Sequence, residues 1–191
     1  MLKKKSIILA TVLIIAASLL FGFAYDAVIS AVERWEHPRD YAEFVTKARG
    51  QHQLFIPESL IFAVIKTESS FDPDAVSSDG AVGLMQLLPS TFEDISDNFL
   101  FENLPDEMIY DPETNIRYGV FYLSWLYPKY GNWDTVLAAY NAGLTNVNMW
   151  LEDPEYSDDG VTLKYIPLAE TRAYVSRVRA AKETYERLYY N

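Results

Sequence analysis

The chain has 191 residues, half of them hydrophobic, and carries 16 Lys and Arg against 27 Asp and Glu for a formal net charge of -11. That length suits one domain with an appendage, and so acidic a surface argues against nucleic acid as a partner and would be repelled by anionic lipid head groups. The absence of cysteine excludes a disulfide framework, a thiolate zinc site and a cysteine nucleophile. His37 and His52 are the two histidines, in no metal-ligand pattern, so the sequence gives no ground for a metal centre or a Ser-His-Asp triad, and both are expected at the surface.

Ser6 to Tyr25 contain no charged side chain, and Lys3, Lys4 and Lys5 precede them. Twenty helical residues span about 30 Å, the thickness of a bilayer's hydrocarbon core. The positive-inside rule keeps the lysines cytoplasmic and exports the rest. The segment reads as a retained single-pass anchor in the cytoplasmic membrane. Secretion after signal cleavage is the alternative, although Ala24-Tyr25-Asp26 makes a poor cleavage site. The organisation expected is an anchor over 1–25, a stalk or leading helix over 26–50 broken at His37-Pro38, and a catalytic domain over 51–191.

Within that domain, Pro57 and Glu58 open a helix running to about Ser69. The Asp-, Pro-, Ser- and Gly-rich stretch 71–83 predicts a loop. A short helix is expected over 92–97, and a longer one from Asp111-Pro112 to Tyr130-Gly131. A further helix follows from Trp133 to Tyr140, and a last one from about Glu170 to Tyr190. Residues 153–160 (Asp-Pro-Glu-Tyr-Ser-Asp-Asp-Gly) predict a mobile polar loop. The fold class is mainly α, with short β-structure open near 71–83 or 161–166.

Glu68 stands out. Ile61, Val64, Ile65 and Glu68 share one helical face, three apolar residues and one carboxyl. A carboxyl on an apolar face, near the negative end of a helix dipole, has its ionised form disfavoured. That is how a general acid stays protonated near neutral pH. On the pattern alone, a boundary Glu reaching solvent remains open.

The residues that follow carry a resemblance. Glu68-Ser69-Ser70-Phe71, continuing through Gly80-Ala81-Val82-Gly83-Leu84-Met85-Gln86 to Ser90-Thr91, closely resembles the catalytic block of the soluble lytic transglycosylases. Ala138-Ala139-Tyr140-Asn141-Ala142-Gly143 resembles their AYNAG motif, and Ile166-Pro167 through Glu170-Thr171-Arg172 to Tyr174-Val175 their IPxxETRxYV motif. Three ordered blocks are highly specific. The resemblance implies a lysozyme-like helical domain acting on peptidoglycan glycan strands. It implies non-hydrolytic cleavage of the β-1,4 bond between N-acetylmuramic acid and N-acetylglucosamine, leaving 1,6-anhydro ends, without a cofactor. Glu68 matches the single acid and base. Ser69, Ser77, Gly83, Met85, Gln86, Tyr140, Asn141 and Tyr174 match substrate-binding or site-lining positions, although periodicity alone would put Met85 in the core. Glu170 and Arg172 suggest a structural ion pair. A hydrolytic muramidase on the same fold, or a non-catalytic wall-binding component, are the alternatives, and no protein partner is indicated.

Overall fold

The computed structural model describes residues 2–51 and 56–190, with side chains from residue 11 onward; His52 lies outside the described residues. The chain divides after Pro38 into two units.

The first unit is one helix, α1 (Leu2–Glu36). Its 35 residues reach about 50 Å. It does not stop at residue 25 but continues through Val28, Val32 and Trp35, all exposed, to the His37-Pro38 break. Proline cannot continue a helix, which accounts for the end point. His37 is half-buried rather than at the surface, its Nδ1 2.9 Å from the Glu33 carbonyl oxygen. From Thr11 to Glu36 the helix is long and apolar enough to cross a membrane.

The second unit holds seven α-helices among the described residues: α2 (Ala42–Gly50), α3 (Glu58–Ser69), α4 (Pro89–Asp94), α5 (Pro112–Tyr130), α6 (Trp133–Ala142), α7 (Leu144–Leu151) and α8 (Ala169–Tyr189). The expected helix over 92–97 starts earlier and changes pitch, with α4 passing into a π-helical turn, Ile95–Phe99. A 3-10 turn, Asp106–Tyr110, leads into α5. Helix α7 was not anticipated, because only Val147 and Leu151 of its short span are buried.

α3 is the axis of the core. Every residue from Ser59 to Ile65 is buried, so the helix is apolar nearly all round rather than on one stripe. It packs most extensively on α8, with Phe62 stacked on Tyr185 at 5.5 Å. α5 is well delimited. The Asp111 carboxylate accepts from Thr114 N at 2.9 Å, and Gly131 takes a left-handed φ of 64° at the other end. Residues 71–83 do form a loop, with isolated β-bridges pairing Val76 with Val82 and Val82 with Leu87.

The polar loop at 153–160 is pinned rather than loose. The Asp159 carboxylate accepts from Val161 N, Thr162 N and Thr162 Oγ1 at 2.7–2.8 Å, and Ser157 Oγ donates to Thr162 O at 2.8 Å. The backbone amides pull the Asp159 carboxyl far below the usual range. Arg172 is not paired with Glu170. Its guanidinium donates to the carbonyls of Ile166 (2.6 Å) and Pro167 (3.3 Å) and lies over Tyr165, tying the IPxxETR segment to the start of α8.

Candidate active site

Glu68 occupies the last turn of α3, below the fully buried Ile61, Val64 and Ile65. Its pKa is raised to about 7, first by burial, against opposing effects from the Tyr174 hydroxyl and the charge of Arg177. Tyr174 itself is buried, and its hydroxyl has no hydrogen-bond partner of ordinary geometry among the described residues. Tyr140 and Tyr174 both have pKa values pushed well up, first by burial and next by the Glu68 charge, so the two phenols flank the carboxyl. Neither phenol ionises at physiological pH; the Tyr140 proton is donated to Met85 O, which leaves the Tyr174 O–H as the one facing the carboxyl without an ordinary partner.

The chain reverses sharply after the carboxyl. Ser70 and Phe71 are both left-handed, with φ of 53° and 68°. That conformation is costly for a bulky residue. It is held by Ser70 N donating to Lys66 O (3.1 Å), by Asp72 N donating to Ser69 O (3.1 Å) and by Phe71 stacking on Phe62. Ser69 donates its hydroxyl to Leu84 O at 2.9 Å and Ile65 O at 3.2 Å, clipping the end of α3 to the chain where it returns at Leu84. Its hydroxyl proton is thereby engaged by the backbone.

Ser77 is exposed and accepts from Ala81 N at 3.0 Å, shaping the loop tip. Gly83 has φ of 77°, and a Cβ there would lie 2.5 Å from Asn115 Nδ2, so both the conformation and the space require glycine. Gln86 is left-handed at φ 47°, and its Nε2 donates to Ala75 O and Gly83 O, both at 3.0 Å. The Gln86 amide therefore spends its protons inside the loop, leaving only its carbonyl to accept from a ligand.

Met85 is a correction. Its side chain is fully buried, packed so closely on Gly119 that a Cβ there would meet Met85 Sδ at 2.4 Å. It cannot line a cleft from that position, in agreement with its apolar periodicity. Its backbone nevertheless reaches the site. Met85 N donates to Asn115 Oδ1 at 2.8 Å, and Met85 O accepts from the Tyr140 hydroxyl at 2.8 Å. Asn141 is exposed, with its Oδ1 accepting from Thr171 Oγ1 at 2.8 Å, which joins the AYNAG block to the ETR block.

Three contributors escape sequence reasoning. Asn115 ties the returning segment, at Met85 N and Val82 O, to the 3-10 turn, at Ile109 O. One signal is its spacing of three, four and seven residues from Tyr118, Gly119 and Tyr122, which places an amide on a core face. Arg177 lies one turn beyond Tyr174 on α8, exposed and without an ion pair among the described residues. Tyr122 packs on Tyr140 at 5.5 Å and lines a groove with Gln86, Thr91, Tyr140 and Asn141. Among the described residues, no cluster of three or more His, Asp or Glu side chains could hold a metal ion.

The site is a half-buried carboxyl at the end of a core helix, with Tyr140 and Tyr174 as its phenolic neighbours, in a mainly helical domain. The model of the Transglycosylase SLT domain matches residues 46–160. The chain belongs to this family. Soluble lytic murein transglycosylase of Escherichia coli K12 is 38% identical over 130 residues, covering 65% of this chain and 20% of that protein. Membrane-bound lytic murein transglycosylase C of Actinobacillus succinogenes is 31% identical over 172 residues, covering 78% of this chain and 48% of that protein. The crystal structure of the 70 kDa soluble lytic transglycosylase of E. coli superposes with a TM-score of 0.72 at 30% identity, over 83% of this chain and 26% of that one. This chain thus spans from a fifth to about half of the length of these proteins.

Proposed function

We propose that the chain is a membrane-anchored lytic transglycosylase that cleaves the MurNAc-GlcNAc β-1,4 bond of peptidoglycan without water. The observation that carries this reading is the half-buried Glu68 carboxyl at the end of the core helix α3, with the buried Tyr174 beside it, in a domain of the Transglycosylase SLT family. Protonated, Glu68 donates to the bridging oxygen as the bond from the muramic acid anomeric carbon breaks. The substrate's own N-acetyl group supports the positive charge at that carbon. The muramic acid 6-hydroxyl then attacks the anomeric carbon, and its proton returns to Glu68. One carboxyl suffices because acid and base act in turn, unlike the paired carboxylates of most glycosidases.

The Tyr174 hydroxyl, buried and unpartnered, is suited to orient Glu68 or the N-acetyl group. Tyr140 is held by Met85 O and supplies an aromatic wall, with Asn141 at the rim. In this reading α1 anchors the chain with its lysines inside, and the domain works on the outer side of the cytoplasmic membrane. The helix over Thr11–Glu36 and the membrane-bound relative support that placement.

Mass spectrometry of muropeptides released from purified sacculi, with Glu68→Gln as control, tests the reading. Ends one water lighter than reducing ends are expected. Hydrated ends dependent on Glu68 would make the enzyme a muramidase. No products from folded protein would leave only wall binding.

A further inference from the structure

Asn115, near the start of α5, is 1% exposed. It joins Met85, in the larger cluster of buried apolar side chains, to Val82 and Ile109, in the smaller one. Its amide has one orientation open to it. Oδ1 accepts from Met85 N at 2.8 Å, and Nδ2 donates to Val82 O at 3.0 Å and to Ile109 O at 2.8 Å. An N–H on one side and two carbonyls on the other leave no flipped alternative. The segment it holds has little slack. Val82 and Leu87 exchange both backbone hydrogen bonds, at 2.9 and 3.0 Å, and Gly83 N donates to Ala75 O at 2.9 Å. A Cβ at Gly83 would meet Asn115 Nδ2 at 2.5 Å, so the turn is seated directly on the amide.

Two successive carbonyls of this segment serve the site. Leu84 O accepts at 2.9 Å from the hydroxyl of Ser69, the residue after Glu68, and Met85 O accepts from the Tyr140 hydroxyl at 2.8 Å. One bond fixes the end of α3 and the other fixes a side chain of α6. The Leu84-Met85 peptide thus sets where the catalytic end of α3 stands relative to Tyr140. The Glu68 charge is felt at Tyr140, so the two groups are close enough for that setting to matter. A buried hydrogen-bonded amide adds little net stability over an apolar residue of the same shape. A fully satisfied one does fix a single arrangement of the groups around it.

We propose that Asn115 is a positioning residue for bond cleavage: by fixing the Leu84-Met85 backbone it sets Glu68 against Tyr140 without itself touching the substrate. This rests on the transglycosylase reading above.

The test uses the full chain in detergent micelles with uncrosslinked glycan strands as substrate, at a temperature where each variant is folded. Asn115→Ala is expected to lower kcat at least about tenfold with KM changed less than about twofold, because a small misplacement costs the transition state more than the bound strand. Val45→Ala, a core cavity on α2, is the control for lost stability and should keep kcat within about twofold of wild type. Asn115→Asp keeps the shape and the acceptor but gives up both N–H donations, and provides a second variant with the same expected split should Asn115→Ala fail to fold. In a background of Ser69→Ala and Tyr140→Phe, which lacks the two hydroxyls that bond the segment, the Asn115 change should lose most of its effect on kcat. A folded Asn115 variant with the kcat of the control, a loss confined to KM, or an undiminished effect in that background would overturn the positioning role while leaving the cleavage reading intact. A wild-type chain that releases nothing from glycan strands would overturn the cleavage reading and this role with it.

Discussion

Tyr174 places a buried hydroxyl beside Glu68 without completing an ordinary hydrogen bond to it. A buried O–H without a partner costs stability, on the order of 1–3 kcal/mol. Its retention at this point is understandable if a substrate-bound or ionised state supplies the acceptor. Tyr174→Phe is therefore expected to leave the melting temperature unchanged or higher while slowing cleavage. Tyr174 also holds the Glu68 pKa down, so its removal should carry the alkaline limb of the pH-rate profile upward. Melting curves and rates across pH check both effects, and an unchanged rate and profile would deny the hydroxyl any part.

Glu68→Gln should abolish cleavage and, less obviously, stabilise the fold at high pH. The folded pKa is about 7 against an ordinary 4.5. Below 4.5 the carboxyl is protonated in both states and contributes no pH dependence. From there to about 7 the unfolded chain releases a proton that the folded chain keeps, so wild-type stability falls as pH rises. Above about 7 the full cost is present, on the order of 3 kcal/mol. Gln has no such cost, and the variant's advantage should grow through that window and then level off. Denaturant titrations at pH 4, 6 and 8 measure it. A difference independent of pH would mean that Glu68 titrates normally.

Arg177→Gln removes a charge that lowers the Glu68 pKa. Because Arg177 is exposed, its loss should change folding stability by less than about 0.5 kcal/mol. The alkaline limb of activity should move to higher pH, more at low salt than at high, since an exposed charge is screened. An alkaline limb insensitive to both the variant and salt would show that Arg177 does not reach the carboxyl.

The burial of residues 61, 64 and 65 ahead of Glu68 was legible in sequence because apolar spacing is a local pattern, but the burial of 59, 60, 62 and 63 as well, which makes α3 a core helix rather than a one-sided one, was not. Helix limits at Asp111-Pro112 and Gly131 were legible for the same reason, since caps are local chemistry. Long-range satisfaction was not. Nothing near Asn115 in sequence says that its amide will serve Met85, Val82 and Ile109. Likewise the 153–160 stretch has the composition of a loose loop, and only the geometry shows the amides of Val161 and Thr162, just beyond it, converging on the Asp159 carboxylate. Gln86 and Met85 show the limit of motif matching. Motif position puts both in the site, but Gln86's amide protons bond the loop's carbonyls and Met85's side chain faces the core, leaving its carbonyl to hold Tyr140.

That arrangement makes Gly119, remote from any cleft, a determinant of activity. A Cβ at Gly119 would lie 2.4 Å from Met85 Sδ and 2.8 Å from Met85 Cβ. The thioether can rotate, but the Cβ cannot move without its backbone. Met85 is fully buried, with its N–H held by Asn115 and its carbonyl by Tyr140. Gly119→Ala is therefore expected to cost about 1–3 kcal/mol of stability, as overpacking a tight core does. It should also displace the Met85 carbonyl and release the Tyr140 hydroxyl. Activity should then fall well below that of a core-cavity control such as Val45→Ala, whose cavity lies on α2, away from the helix that carries Tyr140. Comparing kcat for the two variants at a temperature where both are folded checks this. Equal activity in the two would mean that the Met85 carbonyl does no more for Tyr140 than the rest of the core does.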